Sequence, residues 1–528
     1  MPTATAPQSS TSPARTRTPR VGIIGTGFSG VAIAAELQQL GVRSFTLLEK
    51  ADEVGGVWRD NTYPGAACDV PSHLYSFSWA PNADWSLRFA PQAEIHTYLQ
   101  RVARQRGLLP HCRFGVEVLR AVWSDATATW DVHLDSGEVL EFDVLVAGTG
   151  QLNRPAVPNL PGLEDFAGRH FHSARWEHDA PLDGAQVVVV GTGASAIQFV
   201  PHLAERADRV TVIQRSAPWV VAKGDRSYTD LERTAFAKVP GFATAHRAYL
   251  YVRSEGRWPA FSGNKVAGRV ATELAKRHLR RGVPDDPQLQ ERLLPDYPIG
   301  CKRILQSNEW YPALSRPNVD VVDGGVARVE ADAVVLTDGT RLPCDTIVWG
   351  TGFKTTEFLA PIEVVGRDGA ELDDAWRDGA EAHLGITVAG FPNLFLMYGP
   401  NTNLGHNSII FMLECQARYI GQVVRTMVDR GLASVEVDEG VHRRFNDSLQ
   451  RRLRESIWSG NCDSWYVDEN GRIVNNWVGT TLEYRWRTRR FDPAAHTLVA
   501  RSQLPTRTDV DPSAVARGHA DTDQQVPA

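Results

Sequence analysis

The apolar positions of this chain fall into short unbroken runs followed by stretches of helical spacing, and this arrangement occurs twice. Residues 20–24 (RVGII) form a β-branched run with no polar face, the pattern of a strand buried in a parallel sheet. Val31, Ala34, Leu37 and Leu40 then recur at helical spacing, and residues 44–48 predict a second strand. The same order returns as a run at 186–190, a helical stripe of Ile197, Val200, Leu203 and Ala204, and a run at 210–213. Residues 142–150 (FDVLVAGTG) and 345–353 (DTIVWGTGF) each read as a buried strand ending in a Gly-Thr-Gly turn, and 393–398 as one more strand. Between the second unit and its closing strand, Val266, Val270, Leu274 and Ala275 fall at helical spacing. Lys265, Arg269, Lys276, Arg277, Arg280 and Arg281 occupy the other faces of that helix, a solvated basic surface.

The pattern predicts an α/β fold with two Rossmann-like dinucleotide-binding domains, three-layer in the ββα/βαβ manner, and a helical insertion in the second. The expected division is a disordered tail at 1–19, a first nucleotide domain from 20–155 and 390–500, and a second from 156–225 and 335–389. The insertion occupies 226–334 and is expected to wall a substrate pocket, and 501–528 forms a polar tail.

Composition adds mostly exclusions. Of 528 residues, 42% are hydrophobic and 22% charged, so the chain is neither a disordered polymer nor a coiled-coil rod. A net charge of −6 argues against a nucleic-acid partner, and no apolar run reaches the ~18–20 residues of a membrane span. The six cysteines lie at least 43 positions apart, without the spacing of a redox dithiol or a zinc site, so no metal is expected and a reducing cytoplasm is the default compartment.

Chemistry enters at the turns. Gly25, Gly27 and Gly30 have G-x-G-x-x-G spacing between the first strand and helix, and Glu49 lies 24 residues beyond Gly25 at the end of the second strand. Gly25 permits the turn, Gly27 lets a pyrophosphate approach the backbone, and Gly30 lets helix and strand pack closely. The helix N-terminus faces the phosphates, and Glu49 accepts from an adenosine ribose. In the second copy Gly191, Gly193 and Ala196 give G-x-G-x-x-A. Counting 24 residues from Gly191 reaches Arg215, and aligning the strands puts Gln214 opposite Glu49. In either alignment the acid is gone and a guanidinium is adjacent, which suits a 2′-phosphate. The first site therefore expects FAD or NAD, and the second NADP.

Three further segments carry a resemblance. FAGRHFHSARW (166–176) places Phe166, Gly168, His172 and Trp176 at F-x-G-x-x-x-H-x-x-x-W spacing; GGVWRDNTYPGAACD (55–69) and CKRIL (301–305) accompany it. With these, the chain from about 20 to 495 resembles the Baeyer–Villiger monooxygenases of the class B flavoprotein monooxygenases. The chain departs from the family pattern in having Glu177 and His178 directly after Trp176, and Gly-Thr-Gly where Ala-Thr-Gly is usual. The loop GPNTNLGHNS (399–408), with His406, resembles the hydroxyacetophenone-type subgroup more than the cyclohexanone type.

The resemblance implies FAD and NADPH as cofactors and a small ketone and O2 as substrates, with the chain a monomer or homodimer. One oxygen atom would be inserted beside the carbonyl, through a C4a-peroxyflavin, to give an ester or lactone. It implies that Gly25, Gly27, Phe28, Ser29, Gly30, Glu49, Gly56, Val57, Trp58, Asp69, Tyr75 and Val118 hold FAD. Gly191, Thr192, Gly193, Ala194, Ser195, Ala196, Arg215, Ser216, Lys302, Arg303 and Trp465 would hold NADP, Lys302 at the 2′-phosphate and Trp465 closing over the nicotinamide. Arg303 becomes the catalytic cation, oriented by Asp69. His172 is read either as governing domain movement and NADP handling or as a hydrogen-bonded linker histidine.

Other functions fit less well. Trp176 argues against sulfide or amine oxygenation as the main activity, and a disulfide reductase would need a closely spaced cysteine pair. Retention of Asp69 and Arg303 argues against a non-catalytic flavin-binding sensor or scaffold.

Overall fold

A computed structural model of the protein describes residues 17–459 and 464–504. Its frame is two five-stranded parallel sheets built to one plan. In the first, Val21–Ile24 lies at the centre, with Phe45–Glu49 and then Cys112–Phe114 on one side and Val144–Ala147 and then Leu394–Leu396 on the other. In the second, Gln186–Val190 is central, flanked by Arg209–Gln214 and Val319–Asp323, and by Thr346–Trp349 and Arg169–His172. The fifth strand comes from opposite directions along the chain. The first sheet takes it from a late return, the second from the fingerprint segment that precedes the unit.

Each parallel sheet is covered on both faces, which is why inner strands such as Val21–Ile24 and Val144–Ala147 run apolar without alternation, while the edge strands Arg169–His172 and Val319–Asp323 carry polar residues. Helices Phe28–Gln39 and Ile409–Arg430 cover one face of the first sheet, with Val31, Leu37, Ile410, Leu413 and Val424 in a common core. Its other face packs on an antiparallel sheet containing Val118–Ser124, Thr129–Leu134 and Val139–Phe142. The second sheet has helix Ala196–Arg206 on one face, and on the other the antiparallel strands Val326–Glu330, Ala333–Leu336 and Arg341–Pro343. The expected three-layer, twofold-repeated architecture is the observed one.

The boundaries shift from the expected ones. Val319–Asp323 pairs with Arg209–Gln214 in the second sheet, so the helical insertion gives way before residue 319 and does not reach 334. Glu363–Val365 pairs with Val118–Ser124, and Phe358, Leu359, Leu372 and Trp376 pack with Trp123 and Trp130. The chain has thus rejoined the first unit by about residue 358, well before 390. The chain ends are also held further out than expected. Asp143, fully buried, accepts from the Arg20 backbone N–H at 2.8 Å, while Arg17 and Arg501 each approach it to 3.2 Å.

The helix Lys265–Gly282 forms as expected, but of its expected apolar stripe only Ala275 faces inward. Val266, Val270 and Leu274 are exposed, and Ala275 and Leu279 are the buried residues, packed toward Trp219 and Tyr311. A helical stripe reports that a helix is amphipathic, not which face its neighbours cover.

Two segments cross between the units, and they cross together. Pro155 and Phe353 form an antiparallel bridge; Ala156 N–H donates to the Gly352 carbonyl at 2.9 Å and Lys354 N–H to the Arg154 carbonyl at 3.0 Å. Arg154 and Glu357 add an ion pair across the same strap.

Candidate active site

The first glycine turn is shaped by close backbone approaches. Gly25 has φ +95°, and a Cβ there would lie 2.8 Å from the Gly148 carbonyl oxygen. A Cβ on Gly30 would lie 2.0 Å from the Gly25 carbonyl oxygen, so only glycine lets the helix seat on the turn. Gly27 faces Gly56 across a mouth of bare backbone. Glu49 is buried beneath it: Thr26 donates through N–H and hydroxyl to its Oε2 at 2.9 and 2.8 Å, and Ala51 N–H donates to Oε1 at 3.1 Å. Arg59 approaches Oε1 to 3.3 Å. Gly25, Gly27, Phe28, Ser29, Glu49, Gly56, Val57, Trp58, Tyr75 and Val118 open on a cavity of about 1020 Å³. Trp58 Nε1 donates to the Tyr75 hydroxyl at 3.1 Å. Gly30 does not reach the cavity; its place is under the turn.

The second turn repeats the first. Gly191 has φ +108°, and a Cβ there would meet the Gly350 carbonyl oxygen at 2.5 Å, as Gly25 meets Gly148. A Cβ on Gly193 would find only that oxygen, at 3.9 Å, which leaves the outer side of the turn open to a phosphate. Sheet register decides between the two alignments of the sequence. Leu48 lies beside Ile24 and Ile213 beside Val190, so Gln214 is the counterpart of Glu49. Gln214 is buried and donates to Asp323 at 2.9 Å, leaving the exposed Arg215 one residue on to face the cavity with Ser216. Lys302 Nζ donates to the Ser216 hydroxyl at 3.1 Å, and Thr192 to the Ser216 carbonyl at 3.2 Å. Thr192, Arg215, Ser216 and Lys302, distant in sequence, thus form one cationic corner. Gly191, Gly193, Ala194 and Ser195 also line the cavity, while Ala196 packs in the core.

Asp69 and Arg303 meet between the turns. Arg303 Nη2 donates to Asp69 Oδ2 at 2.5 Å across 234 residues of sequence, and Gln306 donates to the Asp69 carbonyl at 3.1 Å. Burial disfavours the Asp69 carboxylate, but Arg303 beside it prevails and holds its pKa below the ordinary range. Asp69 in turn raises the pKa of Arg303. The side chains keep 26% and 37% exposure, and both line the cavity. A fixed, paired cation on a cavity shared by two dinucleotide-type turns can steady negative charge developing on a bound molecule.

Similarity to known proteins agrees with this geometry. Residues 18–231 match the flavin-binding monooxygenase-like family. A Baeyer–Villiger monooxygenase of Streptomyces coelicolor is 44% identical over 479 residues, 90% of this chain and 92% of that protein. The chain belongs to the Baeyer–Villiger monooxygenase family. A Pseudomonas aeruginosa member is 42% identical over 488 residues, covering 92% of both chains. The crystal structure of OTEMO in complex with FAD and NADP superposes with a TM-score of 0.81 at 26% identity, over 91% of this chain and 99% of that one.

The family fingerprint serves packing here. Phe166 and Trp176 are buried, Trp176 against Phe171 and Phe199, and a Cβ on Gly168 would lie 2.2 Å from the Asp345 carbonyl oxygen. His172 ends the edge strand Arg169–His172 of the second sheet, which corrects the expectation of a linker position. Its Nδ1 accepts from Ala174 N–H at 3.0 Å, its ring stands edge-on to Phe353 of the crossing strap at 5.6 Å, and burial lowers its pKa. Trp465 lines the cavity, and its carbonyl accepts from Thr355 at 3.2 Å and Asn475 at 2.7 Å; Cys462 and Asp463 lie outside the described residues.

Two site residues, Tyr398 and Tyr466, carried no sequence signal. Tyr398 and Tyr466 line the cavity near Arg303, each hydroxyl pushed upward by burial and drawn back by that guanidinium. Tyr63 donates to Gln198 at 2.9 Å, and Gln198 donates to the Ala67 carbonyl at 2.9 Å, so the 55–69 segment clasps helix Ala196–Arg206 of the other unit. Residues 403–407 form a wall, with His406 Nε2 at 3.3 Å from Glu255 of the insertion. The insertion's basic helix contributes nothing to the cavity; of residues 226–297 only Arg257 and Tyr297 reach it. Among the described residues no helix is long and apolar enough to cross a membrane, and no His, Cys, Asp and Glu cluster could hold a metal.

Proposed function

We infer that the protein is an FAD-dependent Baeyer–Villiger monooxygenase: a ketone, O2, NADPH and a proton give an ester or lactone, NADP+ and water. The Asp69–Arg303 pair, set where the two nucleotide turns share one cavity, carries this reading. Bound flavin supplies hydride acceptance and oxygen activation.

The chain's own residues supply placement and charge. The bare Gly27–Gly56 mouth and the N-terminus of helix Phe28–Gln39 fit the flavin nucleotide's pyrophosphate, and Glu49 its ribose. The open turn at Gly193 fits the NADP pyrophosphate, with Arg215, Ser216 and Lys302 at the 2′-phosphate. Arg303 stays protonated throughout and stabilises the oxyanion that forms when the ketone carbonyl is attacked. Asp69 fixes the fork of Arg303 and draws it aside when the nicotinamide needs the space. His172 couples the edge of the NADP-binding unit to the strap on which it moves. Trp465 closes the nicotinamide end.

Incubation of the purified protein with FAD, NADPH and matched ketone and sulfide panels, with products identified by mass, tests the assignment. Esters or lactones carrying one oxygen from labelled O2 support it. Sulfoxides alone would move the protein to heteroatom oxygenation, and a yellow protein whose NADPH oxidation ignores every substrate would make it a flavin-binding sensor or scaffold.

A further inference from the structure

The outer surface of the insertion is rich in apolar side chains. Of the fifteen large apolar residues left exposed among the described residues, nine lie between Leu231 and Leu294. Single exposed apolar residues are ordinary on a protein surface, whereas a contiguous row marks an interaction face. Val266, Val270 and Leu274, 70%, 56% and 59% exposed, stand at i, i+4 and i+8 on helix Lys265–Gly282 and form such a row. Arg277 and Arg281 continue the same line over the next two turns, and Arg269 and Arg280 stand on one shoulder of it, all four exposed.

The row is rigidly mounted. On the opposite side Ala275 and Leu279 are buried, His278 Nε2 lies 2.7 Å from the Ser307 carbonyl oxygen, and a Cβ on Gly282 would lie 2.4 Å from the side chain of Tyr311. The Asn264 side chain caps the first turn, accepting from the N–H groups of Val266 and Ala267 at 3.0 Å each, so Val266 is exposed on an intact turn. None of the helix lines the cavity, so the active site does not account for this face.

Charge decides the occupant. The helix carries six Lys and Arg and a single acid, Glu273, which pairs with Arg280 at 2.6 Å. Its net charge is +5 in a chain of net −6. A second copy would set one such helix against another, and like charges brought together oppose that contact. An anionic lipid surface meets both features at once. The apolar row sinks to the acyl boundary, and the long arms of Arg269, Arg277 and Arg281 run beside it to the phosphates. Fluid headgroups can gather at each cation, whereas an acidic protein segment would have to match their spacing. We propose that the face of helix Lys265–Gly282 bearing Val266, Val270 and Leu274 is a peripheral docking surface for membranes rich in anionic lipid, with the helix lying in the plane of the headgroups.

The test mixes the full-length, FAD-loaded protein with vesicles of phosphatidylcholine alone or of phosphatidylcholine and phosphatidylglycerol in equal parts, and measures the protein that sediments with them. The protein should pellet with the mixed vesicles and stay in solution with phosphatidylcholine. Raising salt from ~0.1 M to ~1 M shortens the Debye length from ~10 Å to ~3 Å and should release it. Val270→Asp combined with Leu274→Asp should weaken binding roughly tenfold or more, and Arg277→Ala about fivefold. Both variants should keep their yellow colour and their NADPH oxidation without vesicles. Leu119→Asp, at an exposed apolar residue of another sheet, should bind as wild type does. Equal binding to the two vesicle types, no binding to either, or binding that the paired Asp substitutions leave unchanged overturns the proposal. Binding lost in Arg277→Ala but kept in the Asp pair would mark a bare charge patch for an acidic polymer, and also overturns it. A dimer in sedimentation velocity that the Asp pair abolishes would give the row to a second copy instead.

Discussion

Replacing Asp69 with Asn removes one charge and almost no volume, and so isolates what the carboxylate does for Arg303. Two unit charges ~4 Å apart interact by about 4 kcal/mol at an effective dielectric of ~20. The pair is not sealed: 26% of the Asp69 side chain and 37% of the Arg303 side chain remain open through the cavity. Water in that opening screens the interaction, and halving the figure leaves about 2 kcal/mol. A step that needs Arg303 held in one orientation should then slow by roughly 30-fold. Asp69→Asn should keep its FAD while both half-reactions slow: anaerobic bleaching of the flavin by NADPH, and ester formation when reduced enzyme meets oxygen and ketone. Arg303→Ala sets the outer limit, with flavin retained and ester formation lost by about 100-fold or more, the scale of removing an oxyanion donor. Stopped-flow traces resolve the two steps. If Asp69→Asn runs both within about twofold of wild type, the carboxylate is not positioning the guanidinium and the argument from the 2.5 Å contact fails.

Other expectations follow from the same geometry. Arg215→Ala and Lys302→Ala should each raise KM for NADPH about tenfold while leaving NADH nearly unaffected, the loss of one charge-assisted contact to the 2′-phosphate; an equal effect on both coenzymes would place that phosphate elsewhere. Gly30→Ala pushes a methyl to within 2.0 Å of the Gly25 carbonyl and should yield protein without flavin, whereas Gly193→Ala meets only an oxygen at 3.9 Å and should spare flavin but weaken NADPH binding; absorbance spectra and NADPH titration separate them. Burial, with positive neighbours, lowers the pKa of His73 and of His383 to about 3. Since free histidine titrates near 6.5, the unfolded chain binds more protons between those values, and stability falls with pH by up to about 1.4 kcal/mol per unit for each group. The urea midpoint should therefore drop between about pH 7 and pH 5, and His73→Phe should reduce the drop; a constant midpoint would contradict the burial of these rings.

The parts legible in the sequence are those where local pattern and fold coincide. Residues 21–24 and 187–189 are buried, so their runs are apolar without alternation, and the glycines that follow sit where backbone meets backbone. Glu49 was visible for that reason, and Gln214 became its counterpart only when sheet register was known. The Asp69–Arg303 contact joins residues 234 positions apart, which no periodicity can reveal; the family resemblance alone pointed to it. Helix Lys265–Gly282 shows the reverse failure. Of its stripe of Val266, Val270, Leu274 and Ala275 only Ala275 is buried, because the neighbours Trp219 and Tyr311 pack on Ala275 and Leu279. The early return of the chain at Phe358 was hidden because Phe358, Leu359 and Leu372 are apolar in a way that suits either unit.

The paired crossing at Pro155 and Phe353 sets a limit on mechanics. One strand between two bodies is a swivel, free to turn about its own axis; two strands bonded to each other make a door hinge. They flex together easily across their width, but to twist they must break the bonds between Ala156 and Gly352 and between Arg154 and Lys354. Any motion of the second unit against the first is thereby confined to one arc, and a closure along it would return Arg303 to the same seat on Asp69.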